Sequence, residues 1–253
     1  QIGVPYLHRA IDFAVEVECP IVMSDEGPVP EEWMSLEQGF DILSVSLEAI
    51  LPYARSRGVR YAVELHNALT ARPDMLKRLI GRFGADELGV NFDTGNAFLA
   101  GNDPVDYLRH VVHRVIHVHV KDIPKSQLPL RGKVTGTRVG VAAGDGEIDL
   151  PGIVSTLARA GYGGVLSVEC DTLDQARRSL AYLHGLLAAS TCPKGLCLLP
   201  RHGLGQDLRG ARAHDPRIDR LSFHQRLADL LAGDEDRLFV VVVFHQVHPA
   251  DRG

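Results

Sequence analysis

The chain has 253 residues, 45% of them hydrophobic and 23% charged, with 27 basic and 32 acidic side chains and a formal net charge of −5. That is enough to bury a core in one large domain or two small ones, and the acidic balance speaks against nucleic acid as a partner, because phosphate binding needs a basic footprint. No apolar run approaches the ~18 residues that span a membrane, no secretory leader is visible, and four cysteines make no disulfide framework, so a reducing cytoplasm is expected.

The chain opens on Gln1 and runs at once into apolar residues at helical spacing, Tyr6 to Val17, as if it began inside a domain. "CPIVMSDEG" follows, a short apolar run ending in acids, read as a first strand over 20–25. The stretch from Trp33 is a long amphipathic helix, closed by Gly58 as its C-terminal glycine. "VRYAVELHN" gives a strand over 60–66, then a helix from Leu76 to Phe83, and "LGVNFDTGN" a strand over 88–93. A helix over "PVDYLRHVVHR" carries His110 and His113 on an expected solvated face. "VIHVHVKDI" is the next strand, over 115–121, and a glycine-rich loop over 124–147 is a candidate lid. "LPGIVSTLARAGYGG" is helix plus turn, "VLSVECD" a strand over 165–170, and "TLDQARRSLAYLHGLLA" a closing helix.

From 189 to 253 the character changes: one lysine against eight arginines, no strand–helix rhythm, and an isolated apolar run, "LFVVVVF". Residues 1–188 are expected to form one domain and 189–253 an atypical tail. Cys192 and Cys197 have no second ligand pair near them, so no zinc site is expected there.

Strands alternating with helices imply a parallel sheet. In an open doubly wound sheet the strands read as near-continuous apolar runs. These strands have one apolar and one polar face, with the polar groups gathered toward their C-terminal ends. That suits a (β/α)8 barrel of the TIM type, whose reactive groups collect at the mouth. Only five strands are legible where a closed barrel has eight, so about five βα units are expected, with the first three missing.

The polar faces repeat one theme. Glu64 and His66 oppose Tyr61, Val63 and Leu65; Asn91 and Asp93 oppose Val90 and Phe92. His117, His119 and Lys121 oppose Ile116, Val118 and Val120, and Ser167 and Glu169 oppose Leu166 and Val168. One inward carboxylate is usually a hydrogen-bonded core group. Four successive strands carrying such groups at matching ends would bury several unpaired charges at several kcal/mol each, a penalty that a divalent cation removes. A mixed oxygen and nitrogen set suits Mn²⁺, Mg²⁺ or Co²⁺.

"CPIVMSDEG", "AVELHN", "GVNFDTGN", "HVHVKD" and "GVLSVE" resemble, in order and spacing, the xylose isomerase-like TIM barrels, a family of sugar phosphate isomerases and epimerases, hydroxypyruvate isomerases and inosose dehydratases. The resemblance spans roughly residues 5–188. It implies a metal site of Glu64, Asp93, His119 and Glu169, holding Mn²⁺ first among divalent ions, with Mg²⁺, Co²⁺ or Zn²⁺ as alternatives. It also implies Glu64 and Glu169 as the catalytic acid/base pair, a small sugar substrate, and a homodimer as one assembly the family uses. The abasic-site nucleases of the same superfamily have D-x-x-H where this chain has Asp93-Thr94-Gly95-Asn96, and a later D-x-H that is absent here.

The resulting expectation is a metal-dependent isomerase or epimerase that moves a proton through an enediolate. His66, Asn96, Lys121 and Glu26 are expected to bind substrate, and His117 to support the site from behind. Two alternatives stand beside it: a dehydratase or hydroxypyruvate isomerase of the same superfamily, and a catalytically inactive or sugar-binding barrel fragment.

Overall fold

The computed structural model describes residues 3–27, 29, 32–136 and 140–190, together with the backbone of 239–243. Helix α1 (Gly3–Glu16) leads into β1 (Ile21–Ser24), and α2 (Leu36–Ser56) into β2 (Arg60–Glu64). Helix α3 (Pro73–Ile80) precedes β3 (Leu88–Asp93), which is followed by α4 (Thr94–Leu99), α5 (Pro104–Val111) and β4 (Val115–Val120). The described part of the chain closes with α6 (Leu150–Arg159), β5 (Val165–Glu169), α7 (Leu173–Ser190) and β6 (Phe239–Val243).

Every strand lies parallel to its neighbour, in the order β1-β2-β3-β4-β5-β6, and the sheet curls into part of a barrel with helices outside. The expected α/β, TIM-barrel class is what the chain adopts. The five strands read from the sequence are β1 to β5, and among the described residues a sixth lies beside them. The isolated run of the tail supplies β6, pairing with β5 from Val165↔Phe239 to Glu169↔Val243. Four consecutive valines carry no alternation by which to recognise a strand. The rest of 191–253, including Cys192 and Cys197, lies outside the described residues.

Local chemistry sets the element ends. Ser35 caps α2 through a reciprocal box with Gln38, and Gly58 follows the helix with φ +71°, the left-handed turn expected of it. Strand β2 ends before His66, because the His66 N–H is taken by Thr70 Oγ1 at 3.0 Å. Strand β4 ends at Val120 for the same reason: the Lys121 N–H donates to Thr94 Oγ1 at 3.0 Å. The helix expected over 76–83 lies earlier, with Pro73 in its first turn and Gly81 at its end. Helix α4 was not foreseen; Asp93 creates it by accepting the Asn96 N–H at 2.7 Å.

Val90, Phe92, Val118, Val120, Leu166 and Val168 are fully buried in one core shared with α2, α3, α5 and α6. Each such side chain contributes about 1.5–3 kcal/mol on burial. Phe92 meets Tyr107 edge-on at 5.7 Å, and Tyr107 Oη donates to the Thr70 carbonyl at 2.6 Å. The buried Arg114 guanidinium donates to the carbonyls of Ile80, Phe83, Gly84 and Leu88, joining the end of α3 to the start of β3. Among the described residues no helix is long and apolar enough to cross a membrane.

Candidate metal centre

The strand register decides which side chains meet. Glu64 pairs with Asn91, Asp93 with His119, and His119 with Ser167, so the polar faces of four adjacent strands form one continuous patch. A register irregularity at Val90/Asn91 brings Asp93 level with His119. Glu64, Asp93, His119 and Glu169 each present one ligand atom, and these atoms all lie within 4.8 Å of one another. His119 Nδ1 is at the middle of the group: 2.9 Å from Glu169 Oε1, 3.1 Å from Glu64 Oε1 and 3.9 Å from Asp93 Oδ2. Lys121 Nζ stands 2.5 Å from Glu169 Oε2, 3.1 Å from Asp93 Oδ2 and 3.3 Å from Asn96 Oδ1.

Burial and these contacts pull the proton affinities apart. Burial alone would lower the His119 pKa, but hydrogen bonding to Glu169 and Glu64 outweighs it and pushes the imidazole up to about 10. Burial would likewise lower Lys121, and the charges of Asp93 and Glu169 push it up instead. Burial would raise Glu169, yet His119 and Lys121 hold it well below the usual carboxylate range. Asp93 is the most deeply enclosed of the acids, and there desolvation wins over Lys121, so its pKa is raised. Three carboxyl groups thus face two cationic side chains, with all but Glu64 nearly closed off from solvent.

This donor set fits a divalent cation. Asp93 Oδ1 is held by the α4 cap, and Oδ2 faces the cluster. Three carboxylates and one imidazole, supplied from the ends of four strands, form a hard-to-borderline site for a 2+ ion, and they leave one side to Glu64, whose side chain is 18% exposed.

His117 is not one of the four. Its Nδ1 is 2.9 Å from Asn91 Oδ1 and its Nε2 2.8 Å from Ser167 Oγ, while burial lowers its pKa to about 4, so the ring is neutral. Asn91 Nδ2 lies 3.2 Å from His119 Nδ1, so the one amide side chain touches both histidines. Asn96 and Lys121 sit at the cluster. His66 lies just beyond β2, half exposed, with Asp25 at 3.4 Å. Glu26 is turned elsewhere: its carboxylate accepts from the Leu69 and Thr70 N–H groups and from Thr70 Oγ1 at 2.7 Å, so it holds the 66–71 loop. His110 and His113 are exposed, as expected.

Two features were not read from the sequence. Asp25 had no partner there, and its proximity to His66 depends on β1 lying beside β2. Asp122 is buried and accepts N–H groups from Ile123, Gly144, Gly146 and Ile148 at 2.8–3.2 Å, pinning one end of the 124–147 loop. The glycines of "GDGE" were a signal for it, since a Cβ at Gly146 would lie 2.2 Å from Asp122 Oδ1. Further toward its start the loop is tied by the Gly132 N–H, which donates to the Leu99 carbonyl at 2.7 Å.

A family model described as xylose isomerase-like TIM barrel matches residues 3–186. The chain belongs to this family. Among curated relatives it is 27% identical over 179 residues to an inosose dehydratase of Clostridium botulinum (strain Alaska E43 / Type E3), covering 66% of this chain and 56% of that protein. Among solved structures, a xylose isomerase domain protein from Planctomyces limnophilus is 29% identical, with a TM-score of 0.61 over 72% of this chain and 63% of that one. A D-tagatose 3-epimerase-like protein shares the fold with a TM-score of 0.65 at 23% identity, covering 75% and 70% of the two chains. The chain spans between 53% and 60% of the length of the first curated relatives it matches.

Proposed function

We propose that this chain carries the proton-transfer centre of a divalent-metal-dependent isomerase or epimerase acting on a small sugar or polyol. The observation that carries the reading is the convergence of Glu64 and Glu169 on His119 Nδ1 from opposite flanks, at 3.1 and 2.9 Å, within a four-residue donor set. A divalent ion held by Glu64, Asp93, His119 and Glu169, with Mn²⁺ the first candidate, supplies a Lewis acid that makes the C–H beside a substrate carbonyl more acidic. Glu169 is kept ionised by His119 and Lys121, the form a base requires, and the same two contacts lower its proton affinity until they are loosened. Glu64, on the more open flank, is the partner that exchanges a proton with the other face of the substrate or the neighbouring carbon. Lys121, Asn96 and His66 line the same side and offer donors to substrate oxygens, and the buried His117–Asn91–Ser167 chain fixes the cluster from behind.

A dehydratase reading has its own support in the similarity to inosose dehydratases. It uses the same first proton abstraction and ends in loss of a hydroxyl. Incubating the Mn²⁺-loaded chain with a ketose panel and an inosose in heavy water tests both. Deuterium is expected at the carbon beside the carbonyl, and Glu169→Gln and Glu64→Gln each lower that exchange about 100-fold or more. Intact exchange in Glu169→Gln with metal bound would show the proton-transfer assignment to be wrong. Failure of every divalent ion to raise the thermal midpoint would remove the metal centre itself.

A further inference from the structure

Lys121 follows β4 directly, and its side chain is only 4% exposed. The stem runs through a slot that two glycines leave open. A Cβ on Gly95 would stand 2.7 Å from Lys121 Cγ, and one on Gly140 would stand 3.0 Å from the same atom. The slot delivers the ammonium to oxygens of two of the four candidate ligands, Glu169 Oε2 and Asp93 Oδ2. At Asp93 the conflict is sharp. Its Oδ1 accepts the Asn96 N–H at the start of α4, its Oδ2 faces the cluster, and the ammonium stands 3.1 Å from that Oδ2. Two cations on one buried carboxylate oxygen repel strongly, because little water is present to screen them.

We propose that Lys121 is the built-in counter-ion of the metal-free cluster and must release Asp93 and Glu169 before a divalent cation can take them. This inference rests on the metal centre proposed above and adds to it a direct competition inside the site. Asn96 Oδ1, 3.3 Å from Nζ, is an uncharged acceptor that the ammonium keeps when the two carboxylates are taken by a cation. The same Asn96 oxygen packs against Gly136, where an added Cβ would stand 2.7 Å from it and 3.1 Å from the His66 ring.

The test is a titration of Mn²⁺ into the 253-residue chain and into its Lys121→Met and Lys121→Gln variants. Free Mn²⁺ is followed by paramagnetic resonance and the folded state by its thermal midpoint. Both variants are expected to bind one Mn²⁺ about 10- to 100-fold more tightly than the unaltered chain, the range typical of coupling between sites. Their metal-free midpoints fall, and saturating Mn²⁺ raises them by more than it raises the unaltered chain's. Lys121→Gln keeps a hydrogen-bond donor in the slot, so the comparison stands if the methionine variant does not fold. Saturable binding of equal or lower affinity in the variants overturns the lysine's role and leaves the metal centre standing. Absence of saturable binding in all three proteins overturns both.

Discussion

Raising or lowering pH around the cluster gives a quantitative test, because a metal and a proton compete for His119 Nδ1. The imidazole, held at about 10 by its carboxylate neighbours, is protonated throughout the neutral range in the metal-free protein. An ordinary histidine, near 6.5, would already be neutral at pH 8 and would lose nothing to a metal. Emptying Nδ1 at neutral pH costs about 4 kcal/mol, from three pKa units at 1.36 kcal/mol each. Each bound ion therefore releases about one proton, and its dissociation constant falls about tenfold per unit rise in pH between about 6.5 and 9. Calorimetric titration in buffers of different ionisation enthalpy counts that proton directly. The same shift acts on folding. His119 has a folded pKa above its unfolded value, so its contribution is fully present below pH 6.5 and is lost as pH rises through about 10. The metal-free protein is expected to lose several kcal/mol over that window, and the loaded protein much less. A metal affinity that stays flat above pH 7.5, with no proton released, would refute the reasoning.

Three further outcomes are expected. Asp93→Asn retains the Oδ1 acceptor that caps α4 but removes the charge at the cluster, so metal affinity falls about 100-fold in a Mn²⁺ titration while the far-ultraviolet dichroism stays unchanged. Arg114→Met leaves four carbonyls without the guanidinium that bridges them and lowers stability by about 3 kcal/mol in urea unfolding; Arg114→Lys, with one ammonium in place of a fork, recovers only part of it. Asp122→Leu removes the acceptor of four amides, and hydrogen exchange at Gly144, Gly146 and Ile148 speeds up well before exchange in the core strands.

Much of this centre was legible from residue order. The alternation in "VIHVHV" and "VLSVE" put His119 and Glu169 on one face because side chains in a strand alternate, and the apolar partners Val118 and Val168 are buried as that pattern requires. Glu26 shows where such legibility stops. It ends an apolar run as the other acids do, yet its carboxylate serves Leu69 and Thr70, because the loop after β2 folds back over it. Its partners are 43 and 44 residues away, and no local pattern encodes them. Helix α4 was hidden for a related reason. The Thr94-Gly95-Asn96 stretch has weak helical propensity, and the Asp93 cap that rescues it is visible only once that carboxylate is placed.

The sequence by itself determined the βα order, the burial of one face of each strand and the residue types at the strand ends. These follow from backbone periodicity and the exclusion of apolar groups from water, and both act locally. Tertiary structure alone decided which oxygen of Asp93 faces the cluster, which histidine is charged and where Lys121 rests. His117 and His119 are chemically identical and two residues apart. One nitrogen faces carboxylates and is pushed up to about 10, while the other ring, buried between Asn91 and Ser167, falls to about 4. That difference comes from partners delivered by neighbouring strands through the register, and so it exists only once the sheet has formed.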